Sequence, residues 1–466
     1  MSQLIVMKFG GTSMGSAERI KIAASLTSEQ GKKTRVAIVV SAMSKVTDLL
    51  LDTLRHAESG DKATIEKNIA SLRDRHKQTA AELLANPGPV QDGIDVLVAE
   101  FERIAQGMLL LGDRPPRSVD EAIAIGERLT ALMIAAYLTE QGAPAQAINA
   151  ASVVVTDGVF GNATPIMDAT RAKANALMQP LLEQGAIPVM TGFNGATVDG
   201  KPTTLGRGGS DFSASILAAA LDASELWIWT DVDGIMTADP RLVKDAKVLD
   251  EVTYAEAAEL AYNGAKVLHP RTLAPLVEKQ IPVWSKNSFN LAAPGTKIVP
   301  SLEEPPGARA VTSMANVALV SVEPASGAIS GTRVMARALD ALDIVDAEVL
   351  TLSSSSYRQS FCFLIRKDEL PVVLKSLQDA FALEIEHGYV KRFEVDENVG
   401  LLAVVGEGMR GLAGLAGRVF TAVSREGISI IAIAQGSSEL TINLVVSRDG
   451  LEKAVKAIHA ECGLGA

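Results

Sequence analysis

The stretch Leu4-Ile5-Val6-Met7-Lys8-Phe9-Gly10-Gly11-Thr12-Ser13 limits what this chain can fold into more than any other. Its mostly apolar run reads as a buried strand, and it breaks abruptly into two glycines and two hydroxyls. Helical spacing follows at Ala17, Ile20 and Ala24. The order is therefore strand, tight glycine turn, helix. Glycine lets the backbone come close to an anion, and the N–H groups at a helix start point toward it. Lys8 adds a mobile positive charge at the strand's end. These are the parts of a phosphate seat, although an ordinary strand-to-helix turn containing Gly-Gly would look the same on this segment alone. No G-x-x-x-x-G-K-[ST] occurs, which sets aside the P-loop nucleotide fold.

A second apolar run, Val36-Ala37-Ile38-Val39-Val40, leads into Ser41-Ala42. This βαβ rhythm implies an α/β fold with a parallel sheet covered by helices. Residues 62–111 lack strand signals and read as a helical excursion broken at Asn86-Pro87-Gly88-Pro89, a candidate lid or subunit surface. A helix from 117 holds Ile123, Gly126, Glu127 and Leu129, and short strands are expected at Gln146–Ile148, Ile187–Thr191 and Glu225–Thr230. At 466 residues the chain exceeds what one core serves. The Pro- and Glu-rich run Pro300 to Gly307 marks a boundary. Beyond it, Asn316-Val317-Ala318-Leu319-Val320 returns as Asn398-Val399-Gly400-Leu401-Leu402, each opening a βαββα unit with an antiparallel sheet. The expected organisation is a catalytic domain over residues 1–299, a linker and strand at 300–315 shared with the second module, and two modules at 316–395 and 396–466. In the second module Gly406-Glu407-Gly408-Met409-Arg410-Gly411 matches G-x-G-x-x-G. The first repeat lacks it, and such modules offer no doubly wound sheet, so a dinucleotide reading is rejected.

The net charge of −11 argues against nucleic acid and anionic membranes as partners, so an anionic ligand has to be met by local cations. Thr203-Thr204-Leu205-Gly206-Arg207-Gly208-Gly209-Ser210-Asp211 precedes an expected helix at Phe212–Leu221. Ser210 or Asp211 is a candidate N-cap, the glycines expose backbone donors, and Arg207 offers a fork that matches a carboxylate. Glu127 interrupts an apolar helix. Trp227-Ile228-Trp229-Thr230-Asp231-Val232-Asp233-Gly234 is an apolar strand emptying into acids at the sheet edge where such folds bind ligands, and Asp239-Pro240-Arg241 follows. Lys266 is a second candidate phosphate lysine, while His269, placed before Pro270, reads as structural. Taken singly, each has a plainer reading as a capped loop, an exposed carboxylate or a solvated cation. The two cysteines, Cys362 and Cys462, lack metal-ligand spacing, and no metal site is expected. With neither a signal peptide nor an apolar run of membrane length, the expected compartment is the cytoplasm.

Together, KFGGTS, GERL, TTLGRGGSD, WTDVDGIMTADPR and GAKVLHPRT, followed by paired small repeats, resemble the aspartate kinase family. That resemblance implies the amino acid kinase fold with two C-terminal ACT modules. It runs from Met7 through the last strand and is nearest to the kinase half of bifunctional aspartate kinase–homoserine dehydrogenases, with no dehydrogenase half expected. It implies transfer of phosphate from ATP to the β-carboxylate of L-aspartate, with Mg2+ carried on the ATP phosphates. Lys8 and Lys266 would neutralise the transferring phosphoryl group, and Asp211 would orient them. Arg207 would hold the α-carboxylate and Glu127 the α-ammonium, with Ser41, Thr47, Gly208, Gly209 and Ser210 lining the substrate side. Gly10, Gly11, Thr230, Asp231, Gly234, Met236, Asp239, Arg241, Lys266 and Val267 match ATP positions, and Met236 stands where relatives commonly have Tyr.

The resemblance also implies feedback by threonine or lysine and a homo-oligomer formed through the ACT modules. Ile433 to Glu439 resembles an effector strand, with Gln435, Ser437 and Ser438 as contacts. Aligning the serine runs sets Leu352 opposite Gln435 and Ser356 opposite Glu439, and Leu352 can neither donate nor accept. Rival readings are a kinase for glutamate or N-acetylglutamate, or an amino-acid sensor with a decayed kinase. The first lacks the helical excursion and the tandem repeat. The second is opposed by the joint presence of Lys8, Glu127, Arg207, Asp211 and Lys266.

Overall fold

The structure is a computed structural model, and it describes residues 3–265, 268–303, 307–325, 330–355, 360–391 and 393–465. Two compact units divide the chain: Met1–Gly234 with Asp250–Tyr254 and Leu268–Ser301, and Ile235–Leu249 with Ala255–Val267 and Leu302–Ala466.

The first unit holds strands β1 (Leu4–Phe9), β2 (Arg35–Val40), β3 (Ala145–Ile148), β4 (Val155–Thr156), β5 (Ile187–Thr191), β6 (Asn194–Thr197), β7 (Pro202–Thr204), β8 (Glu225–Thr230), β9 (Glu251–Thr253), β10 (Val283–Asn287) and β11 (Thr296–Val299). Eight of them form one sheet in the order β3-β5-β2-β1-β8-β10-β11-β9, and β4-β6-β7 form a small second sheet. Every pairing in the large sheet is parallel except β10 with β11. β1 therefore lies inside the sheet, and all six of its residues are buried, because helices cover both faces. Phe9 is wholly buried, and its truncation to Ala would cost about 3–5 kcal/mol. The helix Ala17–Gly31 that follows the glycine turn is capped by Ser16, whose side chain accepts from the Arg19 N–H at 3.3 Å.

The helical excursion consists of Lys62–Leu83 and Gly88–Leu111, with Pro89 in the first turn of the second helix, where its missing N–H costs nothing. Both helices bury apolar stripes, among them Ile69, Leu72, Ile94, Val98 and Phe101, in the same core as β1 and β2. Pro116–Glu140 amends the expectation that no apolar run reaches membrane length, since by length and composition this stretch could span a bilayer. Its apolar window is instead mostly packed inside the protein, and the stretch breaks at Ala124 into two helices.

In the second unit, β12 (Ala310–Met314), β13 (Val317–Val322), β14 (Thr351–Ser354), β15 (Phe361–Arg366), β16 (Glu394–Asp396), β17 (Val399–Val405), β18 (Ile430–Gln435) and β19 (Thr441–Ser447) make two four-stranded antiparallel sheets. Their orders are β14-β15-β13-β16 and β12-β17-β19-β18. β12 precedes the first repeat in sequence yet joins the sheet of the second. Val317, Leu319, Leu364, Val399, Leu401 and Val445 pack the two sheets together. Segment Ile235–Leu249 belongs here because Ala238 and Val243 enter the core of the second repeat, and Val311 N–H donates to the Thr237 carbonyl at 2.8 Å. The first glycine of the G-x-G-x-x-G run serves packing: a Cβ on Gly406 would lie 2.2 Å from the Gly307 carbonyl oxygen.

Candidate active site

The carboxyl ends of β1, β2 and β7 open onto one cleft of about 640 Å³. Lys8, Gly11, Ser41, Thr47, Glu127, Arg207, Gly208, Gly209, Ser210 and Asp211 all line it, so residues more than two hundred positions apart in sequence meet there. Lys8 projects from the end of β1 and is 8% exposed. Its Nζ is 2.5 Å from Asp211 Oδ1, which holds the ammonium at the cleft instead of leaving it to roam. The glycine turn is fixed at both ends: Gly10 N–H donates to the Trp229 carbonyl at 3.3 Å, and Ser44 N–H donates to the Gly11 carbonyl at 3.1 Å.

The helix after Arg207 differs locally from the expected one. It runs Gly209–Ala220, its N-cap is Gly208 at φ 69°, and no side chain caps it. Asp211 was a capping candidate; its carboxylate turns to Lys8 instead, because a close ion pair outweighs one cap bond. The uncapped first turn faces the cleft, leaving helix-start donors there for an anion. Arg207 is exposed at the rim.

Glu127 is strongly perturbed. It sits 3% exposed in the first turn of Ile125–Glu140, and a Cβ on the preceding Gly126 would lie 2.8 Å from the Ala42 methyl, so only glycine lets the helix approach this closely. Burial pushes the carboxyl up to about 8, only partly offset by N–H donors from Ala42 and from its own backbone. Its Oε2 is buried with no hydrogen-bond partner. A buried acceptor left in that state is a group awaiting a donor.

Among the residues that escaped the sequence reading are Asp120 and Lys45 in the cleft and Arg75, which braces its loops. Asp120 is 2% exposed and accepts from Thr204 Oγ1 at 2.7 Å, Thr204 N–H at 2.9 Å and Gly161 N–H at 2.8 Å, anchoring β7 just ahead of Arg207. Burial raises its pKa, opposed by those same bonds. Asp120, Ile123 and Glu127 line the cleft at spacings of three and four, a helical-face signal legible in the sequence. Lys45, another lining residue, sits in the left-handed region at φ 67° at the start of the helix Val46–Ser59. Arg75, from the excursion, donates to the Ser44 carbonyl at 2.8 Å and the Gly15 carbonyl at 3.4 Å, bracing both loops.

Of the positions matched to ATP, Gly10, Gly11, Thr230, Asp231 and Gly234 lie at the carboxyl ends of the adjacent strands β1 and β8. Met236, Asp239 and Arg241 belong to the second unit, where Asp239 and Arg241 pair through Oδ2 and Nη2 at 2.5 Å. Lys266 and Val267 lie outside the described residues, as does Ser356. His269 caps the helix Pro270–Lys279 by accepting from the Arg271 N–H. Gln435 ends β18, an edge strand, and both it and Ser437 are exposed. Ser438 gives its carbonyl to Arg410 Nε at 3.1 Å. Leu352, on β14, an edge strand of the other sheet, packs on the core of the first repeat.

Residues 3–287 match the amino acid kinase family. The chain belongs to that family. Residues 402–462 further match an ACT domain. Bifunctional aspartokinase/homoserine dehydrogenase 1 of Arabidopsis thaliana is 34% identical over 98% of this chain. The chain spans about half of that relative's length, 50%. The crystal structure of E. coli aspartokinase III in complex with aspartate and ADP superposes with a TM-score of 0.84 at 30% identity, covering 98% of this chain and 99% of that one. The same enzyme in complex with lysine and aspartate gives a TM-score of 0.81 at 30% identity, with the same coverage of 98% and 99%. Within the family, then, the chain groups with the aspartokinases.

Proposed function

We propose that this protein phosphorylates the β-carboxylate of L-aspartate with ATP, the first step toward aspartate-derived amino acids. The observation that carries the reading is the buried, unpartnered Glu127 Oε2 in the same cleft as Lys8 and Arg207. An α-ammonium would satisfy Glu127, and Arg207 would take the α-carboxylate in two parallel bonds. That arrangement leaves the side-chain carboxylate for the phosphoryl end near Lys8. With a reference pKa near 4, this carboxylate is already ionised at neutral pH and needs no general base. The task is to bring one anion onto another, and Lys8, Lys266, the glycine-turn backbone and the helix start supply the opposing charge. The aspartokinase relatives support aspartate over glutamate or N-acetylglutamate as substrate.

Among the described residues no cluster of three His, Cys, Asp or Glu side chains could hold a metal ion. Mg2+ is proposed to be carried on the ATP phosphate oxygens, the usual arrangement for this ion at phosphoryl-transfer sites. When bound, the ion would neutralise phosphate charge.

Feedback is proposed at the β18 strand around Gln435, with threonine or lysine as effector; an aspartokinase complex with lysine supports that class of ligand. Ile431 and Ile433, 46% and 43% exposed on this edge strand, support pairing with a second copy through the ACT modules. We place the enzyme in the cytoplasm, and the threonine, lysine, methionine, diaminopimelate and ectoine routes could each consume its product.

The test is trapping with hydroxylamine. With MgATP and L-aspartate the enzyme should form aspartyl hydroxamate, and glutamate or N-acetylglutamate should give little. Hydroxamate from those two in place of aspartate would reassign the substrate.

A further inference from the structure

β10 ends at Asn287, and the chain continues through Ser288-Phe289-Asn290 beside the carboxyl ends of β1 and β8. Ser288 is 3% exposed and Ser13, in the turn after β1, is 1% exposed. Their hydroxyl oxygens are 2.7 Å apart. Ser288 Oγ also accepts from Arg19 Nη2 at 3.0 Å and donates to the Thr230 carbonyl at 3.2 Å. A serine hydroxyl has one proton to give and two lone pairs to fill. Donation to Thr230, with acceptance from Ser13 and Arg19, uses all three, so Ser13 is the donor in the pair.

The surrounding contacts hold this node in place. Arg19 Nη2 donates to the Ser288 carbonyl at 2.7 Å, and its guanidinium lies 3.4 Å from the centre of the Phe289 ring. Ser288 N–H donates to the Thr230 carbonyl at 2.9 Å. Asn287 and Asn290 both donate to Asp233 Oδ1, at 2.7 and 3.0 Å. The hydroxyl thus joins the glycine turn, the end of β8 and the first turn of the helix Ala17–Gly31. All three meet where the phosphates would sit, yet Ser288 is not among the residues lining the cleft.

We propose that Ser288 is a positioning residue for the nucleotide: its hydroxyl locks the glycine turn onto the end of β8. The inference rests on the ATP reading given above. Two adjacent glycines give that turn more backbone freedom than any other pair of residues would. Freedom lost only on binding weakens affinity, whereas freedom removed beforehand does not. The Ser13–Ser288 bond adds to the Gly10 and Gly11 backbone bonds in removing it beforehand, from behind the site and without touching the ligand.

The experiment uses the full chain with Ser288→Ala, Ser13→Ala and the double variant, read by MgADP titration calorimetry and by KM for ATP and for aspartate. Ser13→Ala loses the shared buried hydrogen bond, which should weaken MgADP binding and raise the ATP KM by about fivefold, and Ser288→Ala, which also loses its bonds to Arg19 and the Thr230 carbonyl, should do so at least as much. The aspartate KM should stay within about twofold, and the double variant should be no worse than the poorer single, since both remove one shared bond. If Ser288→Ala fails to fold, Ser13→Ala reads the same bond. A lowered melting temperature with unchanged nucleotide affinity would overturn the proposal, as would equal weakening toward ATP and aspartate. A wild type that binds no MgADP would overturn the nucleotide reading and this inference together. A wild type that binds it, with single variants indistinguishable from it, would overturn this inference alone.

Discussion

Glu127 imposes a pH dependence that follows from its burial. Its carboxyl is raised to about 8 by desolvation, but pairing with an α-ammonium requires the carboxylate. Ionised Glu127 would amount to about one molecule in ten at pH 7 and about one in a hundred at pH 6. Aspartate keeps its ammonium and both carboxylates across this range, so its own titration does not interfere. The competent form is the deprotonated one, and activity is therefore lost as pH falls below about 8. We expect kcat/KM for aspartate to climb about tenfold per pH unit from pH 6 to 7.5 and to level off above 8. Initial rates of ADP release in a buffer series would show this, with Glu127→Gln run in parallel. The variant has no group to titrate and should be flat, at a level about 10- to 100-fold below wild type at pH 8 through loss of a charge-assisted bond. A flat wild-type profile would refute the reasoning. A slope that survives in Glu127→Gln would move the titration elsewhere in the cleft, with Asp120 the first candidate. Stability carries the same signature with its own sign. A folded pKa above the unfolded one makes folding take up a proton, so this stability is present below about 4.5 and lost as pH rises through about 8. Glu127→Gln should accordingly lose less melting temperature than wild type between pH 5 and 8.

The other expectations concern charge, specificity, acid stability and regulation. Lys8→Ala should lower kcat by about 10²–10³-fold with little change in aspartate KM, in steady-state kinetics, because its charge is needed mainly as the phosphoryl group transfers. Succinate, which lacks the amine, should be phosphorylated very poorly, since it would leave Glu127 buried and unpaired; efficient turnover would remove that role. His76 is fully buried, and desolvation lowers its pKa to about 4, so stability should be lost as pH falls from about 6.5 to 4. His76→Gln should soften that acid limb in melts across pH by as much as about 3 kcal/mol. Gln435→Ala should relieve inhibition by threonine or lysine with uninhibited kcat nearly intact, while Leu352→Ala should matter little. Insensitivity of the wild type to both effectors would remove the regulatory site.

What could be read from the sequence was local or carried by motif. The apolar run before Gly10-Gly11 identified β1 because burial on both faces leaves no polar alternation to confuse it. The repeat announced two similar modules because it preserves turn and strand in order. Asp120 was not legible as a loop anchor, since its partners Gly161 and Thr204 lie 41 and 84 positions away and no local pattern encodes them. The helix cap after Arg207 was misplaced for a related reason: a tertiary ion pair to Lys8 drew Asp211 away from the role its local sequence suggested. Lys45 lines the cleft from what read as an ordinary helix start, and Arg75 braces the Ser44 and Gly15 loops from what read as a separate excursion. Segment Ile235–Leu249 looked like a continuation of the sheet domain, and only its apolar residues' packing places it in the second unit.

Attack by the aspartate β-carboxylate on the γ-phosphorus is tested most directly by oxygen transfer. Aspartate labelled with ¹⁸O in both β-carboxylate oxygens is turned over with MgATP and trapped with hydroxylamine. The nitrogen attacks the acyl carbon, so the phosphate released keeps the oxygen that bridged carbon and phosphorus. One ¹⁸O per inorganic phosphate, matched mole for mole by aspartyl hydroxamate and ADP, is the expected result. ADP formed with unlabelled phosphate would mean that water is the acceptor and would contradict the account.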